Sequence, residues 1–316
     1  MKRSKRKKST STLKKIVLTL VGVLAVILIG SAAFLGKTYY DVKHVANKVS
    51  QPLPEGLPDD TNIMDGEPFS VLLLGLDTGE FGRSDLGRSD TMMVATVNPK
   101  EKKTTLVSIP RDTRTEIVGN DSVEKIAHAY AYGQEKMAIE TTQKLLDIPI
   151  NHYVWINMEG FEDLVNAVDG VEIDNDFEFE QDGYTFKPGK QHLNGKESLA
   201  YTRMRYEDPK GDYGRQDRQR EVVEAIVDKG LTFTGFTRYQ KILKAIEENM
   251  RTDLEWKEMK AILMGYRECF YNIDEETLQG YGEMIDDGDG NGPISYQIIP
   301  DDELERIQTM LQEQLK

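Results

Sequence analysis

From Ile16 to Gly36 the chain runs for 21 residues without a charged side chain. At about 1.5 Å per residue, roughly 20 apolar residues cross the ~30 Å hydrocarbon core of a bilayer as a helix. Small residues near Ala33 would also suit the cleavage site of a secretory leader, but the apolar run exceeds the usual length of a leader's hydrophobic part. Eight lysines and arginines and no acid fill residues 1–15. A basic flank of this kind holds its end of the helix in the cytoplasm, beside anionic lipid. The sequence therefore predicts a cell-membrane protein with a single transmembrane helix over 16–36, a cytoplasmic tail over 1–15, and an extracytoplasmic body.

That body is acidic. The whole chain of 316 residues holds 40 basic and 54 acidic side chains, and removing the tail leaves 32 basic against 54 acidic. Non-specific nucleic-acid binding needs a broad basic surface, so no nucleic-acid partner is expected. The tail is also too short to fold into a reader domain. With one cysteine, Cys269, an intramolecular disulfide is impossible and a multi-thiolate metal site is excluded.

Residues 37–68 read as a juxtamembrane helix followed by a linker whose "PLPEGLP" stretch keeps it extended. Strand-length apolar runs then come quickly: Phe69 to Leu76, Thr91 to Val97 and Thr104 to Pro110, the last two joined by "NPKEKK". Helical spacing marks Gln134 to Leu146, Gly160 to Ala167, a stretch beginning near Gly195, and another from about Gly214 to Lys229. Strands are expected at His152 to Met158 and Gly170 to Ile173. This alternation predicts an α/β fold, a mixed central β-sheet flanked by helices on both faces. The chain divides into a domain over 69–230 and a largely helical part over 231–316 packed on it. Within that part, Arg238 to Asn249 and Leu254 to Phe270 are amphipathic, Ser295 to Pro300 would add an edge strand, and Asp301 to Leu315 would close the chain as a helix.

Between Phe69 and Gly230 the arginines form two blocks. Arg83, Arg88, Arg111 and Arg114 fall on loops at strand ends, where open α/β sheets place ligands. Asp77 ends the first strand and Asp90 opens the second. If those strands are neighbours, the two carboxylates converge near Arg111, a set suited to Mg²⁺ holding a phosphate. Turn capping and structural ion pairing would account for the same residues. In the second block, Arg215, Gln219, Val222 and Ile226 share one helical stripe whose apolar members face inward. Arg203 and Arg205 alternate with Met204, which would point both to one side. Arg218 and Arg220 lie off the stripe and read as solvated flank charges. An anionic ligand between the blocks would explain the clustering, as would an ion-pair network with Glu207, Asp208 and Asp212.

Seven motifs occur in order: "LLLGLD", "GRSDTMMVATVNP", "LVSIPRDT", "KIAHAYAYG", "INMEGFEDLVNAVDGV", "HLNGKESLAYTRMR" and "GDYGRQDRQREVV". Together they resemble the LytR–CpsA–Psr family of cell-wall enzymes over about 69–228. The resemblance implies an α-β-α fold with an apolar tunnel for a lipid tail, anchored outside the membrane of a Gram-positive bacterium. It implies an Mg²⁺-dependent phosphotransferase that moves a glycopolymer, with its linking phosphate, from an undecaprenyl-pyrophosphate carrier to a peptidoglycan muramic-acid hydroxyl. Teichoic acid and capsular polysaccharide are typical cargoes. By the same resemblance Asp77 and Asp90 would lie at the Mg²⁺, and Arg88, Arg111 and Lys125 would reach the pyrophosphate from one side. Arg203, Arg205, Arg215 and Gln219 would hold it from the other, and Asp212 would orient their loop. Either Asp77 or Asp90 would serve as the base. A pyrophosphate-lipid hydrolase and a lipid-pyrophosphate-binding regulator without turnover are the competing functions.

Overall fold

The computed structural model describes residues 34–57, 61–77, 87–230, 232, 235, 237–286 and 292–316. The expected transmembrane helix lies outside these residues except for its last three, and so does Arg83. Among the described residues no helix is long and apolar enough to cross a membrane. Residues 34–44 are helical and belong to one compact unit, and residues 45–316 form a second.

In the second unit, residues 45–49 are helical and bury Val45, Ala46 and Val49. The elements that follow, in chain order, are β1 (Phe69–Leu76), β2 (Ser89–Asn98), β3 (Lys103–Ser108), β4 (Arg114–Ile117), β5 (Ser122–Lys125), α1 (His128–Leu146), β6 (His152–Asn157), α2 (Met158–Ala167), β7 (Val171–Asn175), β8 (Phe179–Gln181), β9 (Tyr184–Phe186), β10 (Gly189–Leu193), α3 (Gly195–Arg203), α4 (Asp212–Gly230), α5 (Tyr239–Asn249), β11 (Met250–Thr252), α6 (Trp256–Gly265), a 3-10 turn at Arg267–Tyr271, β12 (Ile273–Thr277), β13 (Tyr281–Ile285), β14 (Ile294–Ile298) and α7 (Asp301–Gln314). The central sheet has the order β11-β6-β1-β2-β3-β12. It is mixed: β1 runs parallel to β6 and antiparallel to β2, while β3 runs parallel to β12.

Alternation along β1 separates the two faces. Leu72, Leu74 and Leu76 enter the largest core, which joins Met92, Val94 and Val107 to Ile139 and Leu146 of α1 and to Ile307 and Leu311 of α7. On the opposite face Phe69 and Val71 pack with Leu254, Tyr266 and Cys269. Further along that face the sheet meets a layer made by α2, α3 and α4. That layer has its own core, including Val165, Val171, Phe179, Phe186, Tyr201 and Val222. The expected α/β fold with helices on both faces is therefore present.

Three local expectations need correction. Among the described residues, the stretch after residue 231 supplies four strands as well as helices, and two of them, β11 and β12, are the edges of the central sheet. Both are short and polar: "MRT" and "IDEET". Without an apolar run, neither carries the usual strand signal. The strand expected over Ser295 to Pro300 exists as β14, but it pairs with β13 in a separate two-stranded ribbon. The first long helix starts at His128 rather than Gln134. Its backbone leaves helical geometry at Gly133 and Gln134 (φ 53° at Gln134), so the expected start marks a kink.

Candidate active site

Two caps fix the helices that border the site. The Asn157 side chain accepts a hydrogen bond from Gly160 N at 2.8 Å and starts α2 directly off the end of β6. Asn194 and Glu197 form a reciprocal capping box at the start of α3. Between this helical layer and the sheet lies a cavity of about 500 Å³.

Its floor follows the strand register. Leu73 stands between Met93 of β2 and Val154 of β6, and Gly75 stands between Thr91 and Ile156. Phe161, Leu199 and Val223 close this part from the helical layer, so it is apolar. Asp77 follows two residues beyond Gly75, ~7 Å along an extended chain, and there the lining changes. It becomes Asp77, Asp90, Arg111, Arg203, Arg205, Arg215 and Gln219. Gly75 is required by this geometry, because a Cβ at that position would lie 2.9 Å from Thr91 Cβ.

The carboxylates and arginines converge as the two-block reading expects. A register shift between Gly75 and Leu76 leaves Asp90 out of the β1–β2 pairing. Its Oδ1 accepts from Arg111 Nη1 at 2.7 Å. Arg215 Nη1 donates to the Asp90 carbonyl at 3.3 Å, and its Nε donates to Asp212 Oδ1 at 2.9 Å. Gln216 donates to the other Asp212 oxygen at 3.0 Å, and Arg205 Nε lies 3.6 Å from Oδ1. Burial would raise the Asp212 carboxyl, but Arg215, Gln216 and Arg205 outweigh it and hold the group below its ordinary value. For Arg111, burial opposes the charge, yet Asp90, Asp112 and Asp212 keep its affinity for the proton above normal. Arg111 Nε and Gln219 Oε1 are buried without a hydrogen-bond partner among the described residues. Four guanidinium groups and two carboxylates share this lining, and Asp112, Asp182 and Asp212 pair with Arg205, Arg203 and Arg215 from outside it, so the clustered cations form an ion-pair network whose lining-side guanidinium groups suit an anion.

Two expected site residues stand outside this lining. Arg88 is exposed, and its carbonyl accepts from Asp77 N at 2.9 Å. Lys125 pairs with Asp112 Oδ1 at 2.8 Å, and Arg205 Nη2 donates to the other oxygen of the same carboxylate at 3.3 Å. Asp112, which sequence reasoning did not single out, therefore links Lys125 to the site. It lies inside "SIPRDT", next to Arg111. Also missed was Tyr206, which lines the cavity beside Arg205.

Arg218 and Arg220 correct the expectation of solvated charges. The Arg218 side chain is 7 % exposed and pairs with Asp208, itself 3 % exposed, at 2.5 Å. It also donates to the carbonyls of Tyr201 at 3.0 Å and Met204 at 2.5 Å. Arg220 reaches Ser108 of β3 at 2.7 Å and Glu275 of β12 at 3.0 Å. A single inward stripe would leave α4 covered on one side only. That helix is also covered on flanks facing the α3–α4 loop and edge strand β12.

Residues 36–313 match the family model of the LytR_cpsA_psr family. The chain belongs to that family. Within the LytR_cpsA_psr family it is similar to a polyisoprenyl-teichoic acid–peptidoglycan teichoic acid transferase TagU of Enterococcus faecalis. The two are 47 % identical over 302 residues, which is 96 % of this chain and 98 % of the relative. The crystal structure of B. subtilis TagU superposes with a TM-score of 0.60 at 38 % identity, covering 79 % of this chain and 97 % of that one. A structure described as TagT bound to LIIa-WTA gives 0.66 at 28 % identity, covering 84 % and 99 %.

Proposed function

We propose that this protein transfers a glycopolymer of the teichoic-acid class, with its linking phosphate, from an undecaprenyl-pyrophosphate carrier to a hydroxyl of peptidoglycan. The observation that carries the reading is a single cavity, apolar along Leu73, Met93, Val154 and Phe161 and cationic at Arg111, Arg203, Arg205 and Arg215. A polyprenyl pyrophosphate has that same division: a hydrocarbon tail joined to a concentrated negative charge. The family membership and the names of its relatives support the reading.

The chemistry required of the residues is electrostatic. A pyrophosphate resists attack because its charge repels a nucleophile, and preorganised guanidinium groups lower that barrier by meeting charge as it develops. The peptidoglycan hydroxyl forms a bond to the phosphorus that bears the glycan, and the bond from that phosphorus to the bridging oxygen breaks. Lipid phosphate leaves between the arginines. The hydroxyl proton passes to a carboxylate, Asp77 or Asp90. The two carboxylates also fit Mg²⁺: they are hard oxygen donors, and this ion commonly binds one or two carboxylates together with substrate phosphates. Asp77 and Asp90 would hold it, and when bound it would neutralise phosphate charge. Membrane anchoring through residues 16–36, with the body outside the cell, belongs to the same proposal. Its support is the uncharged run and the basic tail before it.

The test uses the full-length protein with a labelled undecaprenyl-pyrophosphate glycan, Mg²⁺ and a peptidoglycan oligomer, with products read by mass spectrometry. Transfer through a single phosphate, lost in Arg111→Ala and Arg203→Ala, is the expected result. Undiminished transfer by both variants would remove these residues from the reaction. Release of free glycan phosphate would instead mark a hydrolase.

A further inference from the structure

The α3–α4 loop presents a side chain that phosphotransfer alone does not use. Tyr206 is 96 % exposed, yet it belongs to the cationic end of the cavity. Tyrosine rings ordinarily bury much of their area. This one stands in water on a braced loop. Met204 before it is buried, and its carbonyl accepts from Arg218. Asp208 after it is held by the same guanidinium, accepts from Lys210 N at 2.6 Å, and donates its own N–H to the Arg205 carbonyl at 3.4 Å. Gly214 makes room for this brace, since a Cβ there would lie 1.9 Å from the Asp208 carboxylate. The brace therefore fixes the backbone on both sides of Tyr206, whose ring borders the cavity beside Arg205.

We propose that Tyr206 is a stacking platform for a pyranose ring, the first sugar of the glycan carried on the pyrophosphate. The assignment rests on the phosphotransfer reading. An aromatic face carries partial negative charge and complements the weakly positive C–H face of a sugar, whose hydroxyls stay in water around an exposed ring. The hydrocarbon tail has its own place at the other end of the cavity. Tyr206 adjoins Arg205, with Cα atoms ~3.8 Å apart. The group within its reach is therefore one bonded directly to the phosphate that Arg205 meets.

The test measures binding by the full-length protein in detergent to two probes, undecaprenyl pyrophosphate and the same lipid bearing one hexosamine. Tyr206→Ala binds the glycosylated lipid about tenfold more weakly, the scale of removing an interface aromatic, and binds the bare lipid as the wild type does. Tyr206→Phe and Tyr206→Trp keep wild-type binding of both. Equal weakening of both probes, no weakening of either, or a Phe variant as poor as Ala would each overturn the platform. A Tyr206→Ala variant that binds both lipids normally but shows a raised KM for peptidoglycan would assign the ring to the acceptor sugar and overturn the donor assignment. Wild-type protein that binds neither lipid would remove the phosphotransfer reading itself.

Discussion

Replacing Arg218 with alanine removes the brace on which the second arginine block depends. Its guanidinium pairs with Asp208, satisfies the carbonyls of Tyr201 and Met204, and lies over the rings of Phe179 and Tyr201 at 5.4 and 5.8 Å. Breaking a buried pair by removing one partner costs about 3–5 kcal/mol, because the other charge stays buried. The two orphaned carbonyls add a further cost of ~1 kcal/mol or more each unless water reaches them. Because the contributions overlap, a loss of about 4 kcal/mol is expected. For a domain of this size that is a fall in Tm of about 8–16 °C. Urea unfolding of the full-length protein gives the free energy, and calorimetry gives Tm. Arg218→Lys would not rescue, since one ammonium cannot span three acceptors set in a fork. A loss below ~1 kcal/mol in Arg218→Ala would mean that the Arg218–Asp208 pair does not act as a buried brace, because a loss that small belongs to exposed ion pairs.

The sheet floor gives another prediction: Gly75→Val forces a Cβ into Thr91, costs about 1–3 kcal/mol by overpacking and abolishes lipid binding, and full transfer by that variant would contradict the cavity assignment. A hydrogen bond with Glu275, then burial, holds the Glu224 carboxyl up at about 7, above its ordinary 4.5. A raised carboxyl favours the folded state fully below about 4.5, and this contribution fades as pH climbs through 7. Glu224→Gln therefore raises Tm at pH 8 by about 2–4 °C, after allowance for solvent screening, and changes it little at pH 5, and a pH-independent effect in calorimetry would argue against the carboxyl pair.

Much of the site was legible because its signals are local. The adjacency of β1 and β2 brings Asp77 and Asp90 into one cavity, and the inward stripe of α4 was readable from the spacing of Arg215, Gln219 and Val222. The alternation of Arg203, buried Met204 and Arg205 held even though Arg203 ends a helix. The failures share a cause. Edge strand β12 is polar and pairs with β3 across more than 160 residues of chain, so no local pattern announces it. Without β12 in place, Arg220 looks solvated. Arg218 misled for a related reason: a cation buried by backbone carbonyls and one carboxylate leaves no apolar trace in the sequence. Asp112 was masked by its neighbour, since an Asp after Arg111 reads as a turn residue until the fold brings Lys125 and Arg205 to it.

In the proposed function one cavity holds both the pyrophosphate and its hydrocarbon tail. Photocrosslinking can locate both parts, with a polyprenyl pyrophosphate carrying a diazirine near the head of its tail, bound to the full-length protein and mapped by peptide mass spectrometry. Adducts on Leu73, Met93, Val154 or Phe161, abolished by inorganic pyrophosphate in excess and by Arg111→Ala, are the predicted result. Adducts confined to other surfaces, or unchanged by Arg111→Ala, would contradict it.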